Sequence, residues 1–148
     1  MDSRATLRGM LEGRQILLAD DDELVQRAVK RIAERNGYNV IHVTSGSDVV
    51  QRAIETKPEL IVLDVTFPDA DGRDILSVLK AEPRTSDIAV LVWSGEARDP
   101  ESDRKIALSL GAEDYIEKTD VQTLLRKIKR VLQRLDSERK AALDARGL

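Results

Sequence analysis

Leu60-Ile61-Val62-Leu63-Asp64 decides how this chain reads. Four apolar residues run together and stop at a carboxylate. So short and so branched a run suits a strand buried on both faces. Each side chain contributes roughly 1.5–3 kcal/mol if fully buried. The aspartate then stands at the strand's C-terminal end, and in open α/β sheets ligands bind at that edge. Val65-Thr66-Phe67-Pro68-Asp69-Ala70-Asp71-Gly72 follows as a loop punctuated by Pro and Gly. Taken alone, Asp64 reads as well as a helix cap as it does as a site residue. The other strand ends separate the two readings.

Toward the N-terminus, Ile16-Leu17-Leu18-Ala19 is a second apolar run, ending in Asp20-Asp21-Asp22-Glu23. Val25, Ala28, Val29, Ile32 and Ala33 then fall on one helical face. The acids before them suit the positive end of the helix dipole, and Asn36-Gly37 closes the helix with Gly as the C′ residue. Val40–Val43 reads as a strand, Thr44-Ser45-Gly46-Ser47 as a loop and cap, and Val49, Val50, Ala53 and Ile54 as a short helix closed before Pro58. Toward the C-terminus, Ile75, Leu76 and Leu79 mark a helix stopping near Pro83. Ile88–Trp93 is a fourth strand, ending at Ser94-Gly95. Asp99-Pro100 opens a helix as cap and first-turn proline, which carries Ile106, Ala107 and Leu110 and stops at Gly111. Tyr115-Ile116 is a fifth strand, followed by Lys118. Thr119 or Asp120 caps a last helix striped by Leu124, Leu125, Ile128, Val131, Leu132 and Leu135.

Five strands alternating with five helices predict a parallel sheet covered on both faces. Right-handed crossovers put every strand's C-terminal end on one edge. That edge collects Asp20 and Asp21 from the first strand, Asp64 from the third, Ser94 from the fourth and Lys118 from the fifth. Close carboxylate pairs repel by roughly 1 kcal/mol in water and about 4 at an effective dielectric near 20, so they recruit protons or a cation. Oxygen ligands without His or Cys favour a hard ion, Mg²⁺ over Zn²⁺. Lys118 as a point charge and Ser94 as a donor suit a phosphate. A carboxylate can itself form an acyl phosphate, and phosphoryl transfer needs mainly positioning and charge neutralisation.

These segments, with Pro68-Asp69-Ala70-Asp71-Gly72 and Gly111-Ala112-Glu113-Asp114-Tyr115-Ile116-Glu117-Lys118, resemble the receiver domain of bacterial two-component response regulators, over roughly residues 14–136. The resemblance implies a doubly wound, flavodoxin-like (βα)5 fold with a five-stranded parallel sheet in the order 2-1-3-4-5. It implies that Asp64 accepts a phosphoryl group from the phosphohistidine of a sensor histidine kinase or phosphotransfer protein. Asp21, Asp64 and the Thr66 carbonyl would ligate Mg²⁺, with Asp20 acting through water. Lys118 would pair with the phosphoryl oxygens, and Ser94 would turn to the phosphate. Tyr115 would be the aromatic switch that turns inward as Ser94 moves. The face of the fourth helix, fifth strand and fifth helix would carry the output, to a downstream protein target or a phosphorylation-dependent homodimer. The chain departs from the family in three places. Thr119 replaces the usual Pro after Lys118, so a trans or visibly strained bond is expected there. Ala19 is smaller than the usual residue before the acid pair, and Trp93 is larger than the usual one before Ser94. Trp93 reads as core. Thr66 and Glu96 stand where the family tunes dephosphorylation.

Composition narrows the alternatives. The 148 residues suit one domain, and an apolar fraction of 41% is enough to give it a core. The absence of cysteine excludes disulfides and thiolate sites. The lone His42, in an apolar stretch, reads as structural. No signal-peptide pattern opens the chain and no apolar run approaches the ~20 residues of a membrane span, so a cytoplasmic location is expected, with no membrane and no direct nucleic-acid partner. Residues 118–148 hold nine Lys/Arg against four Asp/Glu, which reads as a solvated helix face. Residues 1–13 read as an extension and residues 137–148 as a helical or frayed tail, leaving a single-domain regulator. Three rivals remain. A haloacid-dehalogenase-type phosphatase requires a second aspartate where Thr66 stands. A pseudo-receiver that is never phosphorylated is opposed by the intact acid, hydroxyl and lysine set. A flavin or dinucleotide binder lacks any G-x-G-x-x-G.

Overall fold

A computed structural model describes residues 14–95 and 99–147. The expected extension at residues 1–13, Glu96 and the final Leu148 lie outside the described residues. Five strands, β1 (Gln15–Ala19), β2 (Asn39–Val43), β3 (Leu60–Leu63), β4 (Ala89–Ser94) and β5 (Asp114–Glu117), alternate with α1 (Glu23–Arg35), α2 (Val49–Thr56), α3 (Gly72–Ala81), α4 (Pro100–Ser109) and α5 (Val121–Ala145). A 3₁₀ turn, Gly46–Asp48, leads into α2. All strand pairs are parallel, in the order β2-β1-β3-β4-β5. This is the flavodoxin-like order that the resemblance implied.

Because successive strand residues point to opposite faces, the apolar runs feed two cores. Leu17, Ala19, Ile61, Leu63, Val90 and Val92 face α2, α3 and α4, where they meet Val49, Ala53, Leu76, Leu79 and Ala107. Ile16, Leu18, Leu60, Val62, Leu91 and Trp93 face α1 and α5, where they meet Val29, Ala33, Leu124, Ile128 and Leu132. Every residue of β3 and β4 is buried, as their unbroken apolar runs require. Aspartates cap four helices. Asp22 accepts from the Leu24 and Val25 amides, Asp71 from Arg73, Asp99 from Ser102 and Asp120 from Thr123. Each such cap contributes about 0.5–2 kcal/mol.

Two helix ends carry detail that the sequence pattern does not specify. Gly37 takes φ 87° after α1, as a C′ glycine should, but α2 closes on Lys57, which takes the left-handed conformation at φ 46° without being glycine. The last helix continues past Leu135, where its apolar stripe fades, into the tail read as helical or frayed. It runs on to Ala145, with its final turns exposed. Arg, Lys, Glu, Ala and Leu propagate a helix without needing a buried face, and Arg14 pairs with Asp136 to tie the helix to the start of β1. The Lys118–Thr119 bond is trans, there being no cis peptide among the described residues. No described helix is long and apolar enough to cross a membrane.

Candidate phosphoryl-transfer site

Register assembles the site. Ala19 is paired with Leu63, so the residues that follow, Asp20 and Asp64, leave neighbouring strands side by side. Their backbones stay anchored. The Asp20 amide donates to the Val43 carbonyl (3.0 Å) and the Asp64 amide to the Ala19 carbonyl (2.9 Å). Two strands beyond β3, at the end of β5, the Lys118 amide donates to the Ser94 carbonyl (2.9 Å). Lys118 Nζ thereby reaches Asp20 Oδ2 at 2.6 Å and Asp64 Oδ2 at 3.0 Å. Asp20 is fully buried and Asp64 3% exposed, whereas Asp21 is exposed at the rim.

The remaining oxygens are also engaged. The Thr66 amide and hydroxyl both donate to Asp64 Oδ1 at 3.0 Å, and the Asp22 amide donates to Asp20 Oδ1 at 2.9 Å. Burial raises the Asp20 carboxyl above its ordinary range, and the Lys118 hydrogen bond works against that shift. Burial pulls Lys118 down, but its bonds to Asp20 and Asp64 outweigh it and hold the ammonium above its usual value.

Carboxylate oxygens of Asp20, Asp21 and Asp64 lie within 4.8 Å of one another. Two oxygens on opposite sides of one Mg²⁺ are about 4 Å apart, from its 2.0–2.1 Å bonds. Three carboxylates facing one ammonium leave uncompensated negative charge, and a hollow of about 480 Å³ opens over them between Asp22, Pro68 and Gly95. Oxygen-only donors, an acidic balance and this spacing fit a small divalent cation.

The expected switch residues sit beside this hollow. Ser94 ends β4 and is 2% exposed, and Tyr115 lies on β5 at 6%. The Tyr115 side chain is thus buried in this structure. Burial raises the phenol's pKa and interaction with Ser94 lowers it. Both residues line a crevice of about 700 Å³ under α4, spanned by the Arg73–Asp103 ion pair at 3.2 Å.

Two contributors escaped the sequence reading. Gln26, buried on α1, donates to the backbone carbonyls of Asp20 and, at 3.2 Å, of Val43, fixing the strand end that carries the acids. The available signal was its place in line with Val29 and Ala33 on the buried stripe of the helix. The second is Asp69, whose carboxylate accepts from the Ser45 hydroxyl (2.8 Å) and the Gly46 and Ser47 amides (3.0 and 3.1 Å). It ties the loop bearing Thr66 to the loop after β2. The Ser45 hydroxyl first, then the two amides, lower the Asp69 carboxyl to about 2. A depressed carboxyl stabilises the fold above its ordinary value near 3.8 and loses that contribution as pH falls through about 2. We therefore expect the Gly46 and Ser47 amide shifts to stay constant down to about pH 3 and to move together below it, measured by NMR titration. Movement near pH 4 would show that the clamp is open in solution.

His42 takes no part. It lies on the edge strand β2 opposite Leu18, half-buried, with burial lowering its pKa. This agrees with the structural role read for it.

Residues 16–129 match the model of the response regulator receiver domain, and the chain belongs to that family, the receivers of two-component systems. It is 35% identical over 123 residues to the transcriptional regulatory protein GltR of Pseudomonas aeruginosa, a match covering 82% of this chain and 50% of that one. It is 36% identical over 105 residues to the alkaline phosphatase synthesis transcriptional regulatory protein PhoP of Bacillus subtilis, covering 71% and 42%. The chain thus spans about half the length of the curated relatives it matches. Among solved structures, a CheY-like response regulator receiver domain protein from Methanospirillum hungatei aligns with a TM-score of 0.73 at 29% identity, over 84% of this chain and 98% of that one.

Proposed function

We propose that this protein is a cytoplasmic phosphoacceptor of a phosphorelay, taking a phosphoryl group from a histidine kinase or phosphotransfer protein onto Asp64 and signalling to a protein partner. The observation that carries this reading is Lys118 Nζ bridging Asp20 and Asp64, residues 98 and 54 positions away in the chain. An ammonium wedged between two buried carboxylates is poised to neutralise a third anion at the same place.

Asp20, Asp21, Asp64 and the Thr66 carbonyl would hold Mg²⁺. When bound, the ion supplies charge neutralisation for the incoming phosphoryl oxygens. The rest of the chemistry belongs to the chain. Asp64 is held by Thr66 with one oxygen and by Lys118 with the other. One carboxylate oxygen forms the new bond to phosphorus as the bond to the donor's imidazole nitrogen breaks. Lys118 follows the negative charge from the carboxylates to the phosphoryl oxygens, and Ser94 donates its hydroxyl to the same group. Added phosphate brings about −1.5 to −2 charges, which would bias Ser94, Tyr115 and the α4–β5–α5 face between two arrangements. On this reading the protein is a regulator that transfers phosphate to itself, not an enzyme that turns over free substrates.

Incubation with acetyl phosphate and Mg²⁺ is expected to add a single phosphate, read by intact mass, and a chelator is expected to prevent it. An unmodified mass at saturating phosphodonor and Mg²⁺ would overturn the reading.

A further inference from the structure

We propose that Trp93 is a positioning residue for Lys118, its indole face holding the ammonium in place when Asp20 and Asp64 give up their ion pairs. Lys118 Nζ lies 5.1 Å from the centre of the Trp93 ring. The lysine stem passes over Gly95, where an added Cβ would stand 3.5 Å from Lys118 Cδ. Gly95, having no side chain, leaves room for the stem, the Trp93 ring lies within reach of its ammonium, and the backbone bond to Ser94 fixes its root.

The need arises from competition. Both salt bridges of Lys118 use carboxylates that a divalent cation would also claim. Once those oxygens face a cation, the ammonium's two anchors weaken together. A four-carbon stem in a half-open hollow then regains its rotamers. An aromatic face attracts a cation by its quadrupole, most strongly for indole, and no metal ion at the carboxylates competes for it. Trp93 is 3% exposed, and its Nε1 is enclosed without a hydrogen-bond partner among the described residues. Filling the core therefore does not by itself account for an indole, because an aliphatic side chain would fill space here and leave no buried donor unpaired.

This inference rests on the phosphoacceptor reading, and the test separates the two. The 148-residue wild type, Trp93→Phe and Trp93→Leu are compared for phosphorylation rate by acetyl phosphate at saturating Mg²⁺, for Mg²⁺ affinity, and for stability in urea. We expect Trp93→Leu to be phosphorylated about tenfold more slowly than wild type, and Trp93→Phe to recover most of that rate. Mg²⁺ affinity should stay within about twofold in both, since the ring acts on the lysine's cation and a neutral side chain replaces a neutral one. A Trp93→Leu variant as fast as wild type, or a Phe variant as slow as the Leu one, would overturn the inference. Absence of any adduct on wild type would instead remove the phosphoacceptor reading. Trp93 is also the chain's single tryptophan. Lys118→Met in the otherwise wild-type chain is therefore expected to shift its fluorescence, and unchanged emission would also overturn the inference.

Discussion

Asp64→Asn is expected to take up no phosphate from acetyl phosphate under conditions that label the wild type fully. The amide is nearly isosteric, and its oxygen can still accept from the Thr66 amide and hydroxyl at Oδ1. What it lacks is nucleophilic charge. It also removes one of the three carboxylates gathered within 4.8 Å, and each 1.4 kcal/mol of lost attraction is a factor of ten in affinity. At an effective dielectric near 20 a unit-charge pair at ~4 Å is worth about 4 kcal/mol, so Mg²⁺ affinity should fall by about tenfold or more. The fold should survive, because Asp64 belongs to neither apolar core and its backbone bond to Ala19 is untouched. Intact mass and a Mg²⁺ titration check the two effects. Labelling of Asp64→Asn at the wild-type level would place the acceptor elsewhere.

Gly72→Ala is expected to destabilise the domain by about 3 kcal/mol or more, against the usual sign of such a change. In a helix, Gly→Ala ordinarily stabilises by roughly 0.4–1 kcal/mol. Here the new Cβ would stand 2.3 Å from Val65 Cα and 2.6 Å from the Asp64 carbonyl oxygen. Both are backbone atoms, so no side chain can swing aside. The first turn of α3 would have to back away from the end of β3, breaking the Gly72 amide bond to the Val65 carbonyl (3.0 Å) and the Thr66–Asp71 bridge. Thr66 would move with it, so Mg²⁺ binding should weaken in parallel. Urea unfolding reads the first effect. A midpoint equal to wild type would show that the loop yields without cost.

The strands were legible because burial on both faces leaves no polar residue inside them. Leu60–Leu63 and Ala89–Trp93 carry that signature in full. The acids were legible because each directly follows such a run. Gln26 was not, since its role lies in two backbone carbonyls that helical periodicity does not see. Asp69 was hidden for the same reason, its partners being hydroxyl and amides of a loop more than twenty residues earlier. Lys57 is another case, because tertiary packing can hold a left-handed lysine that propensity disfavours. For residues 137–148 helix and frayed tail both stayed open, because an apolar stripe reports burial and the final turns of α5 are exposed. The burial of Tyr115 depends on the space under α4, which no linear pattern encodes.

The contact between Lys118 and Asp20 spans 98 residues of chain. During synthesis the first two acid-tipped strands emerge long before the lysine that will separate their charges. Until β5 joins the sheet, the two aspartates face each other with only solvent ions between them. Joining groups so far apart in the chain costs loop-closure entropy, and contacts of high sequence separation slow folding. If Asp64 is the acceptor, the pocket would gain its cationic side only when β5 takes its place beside β4.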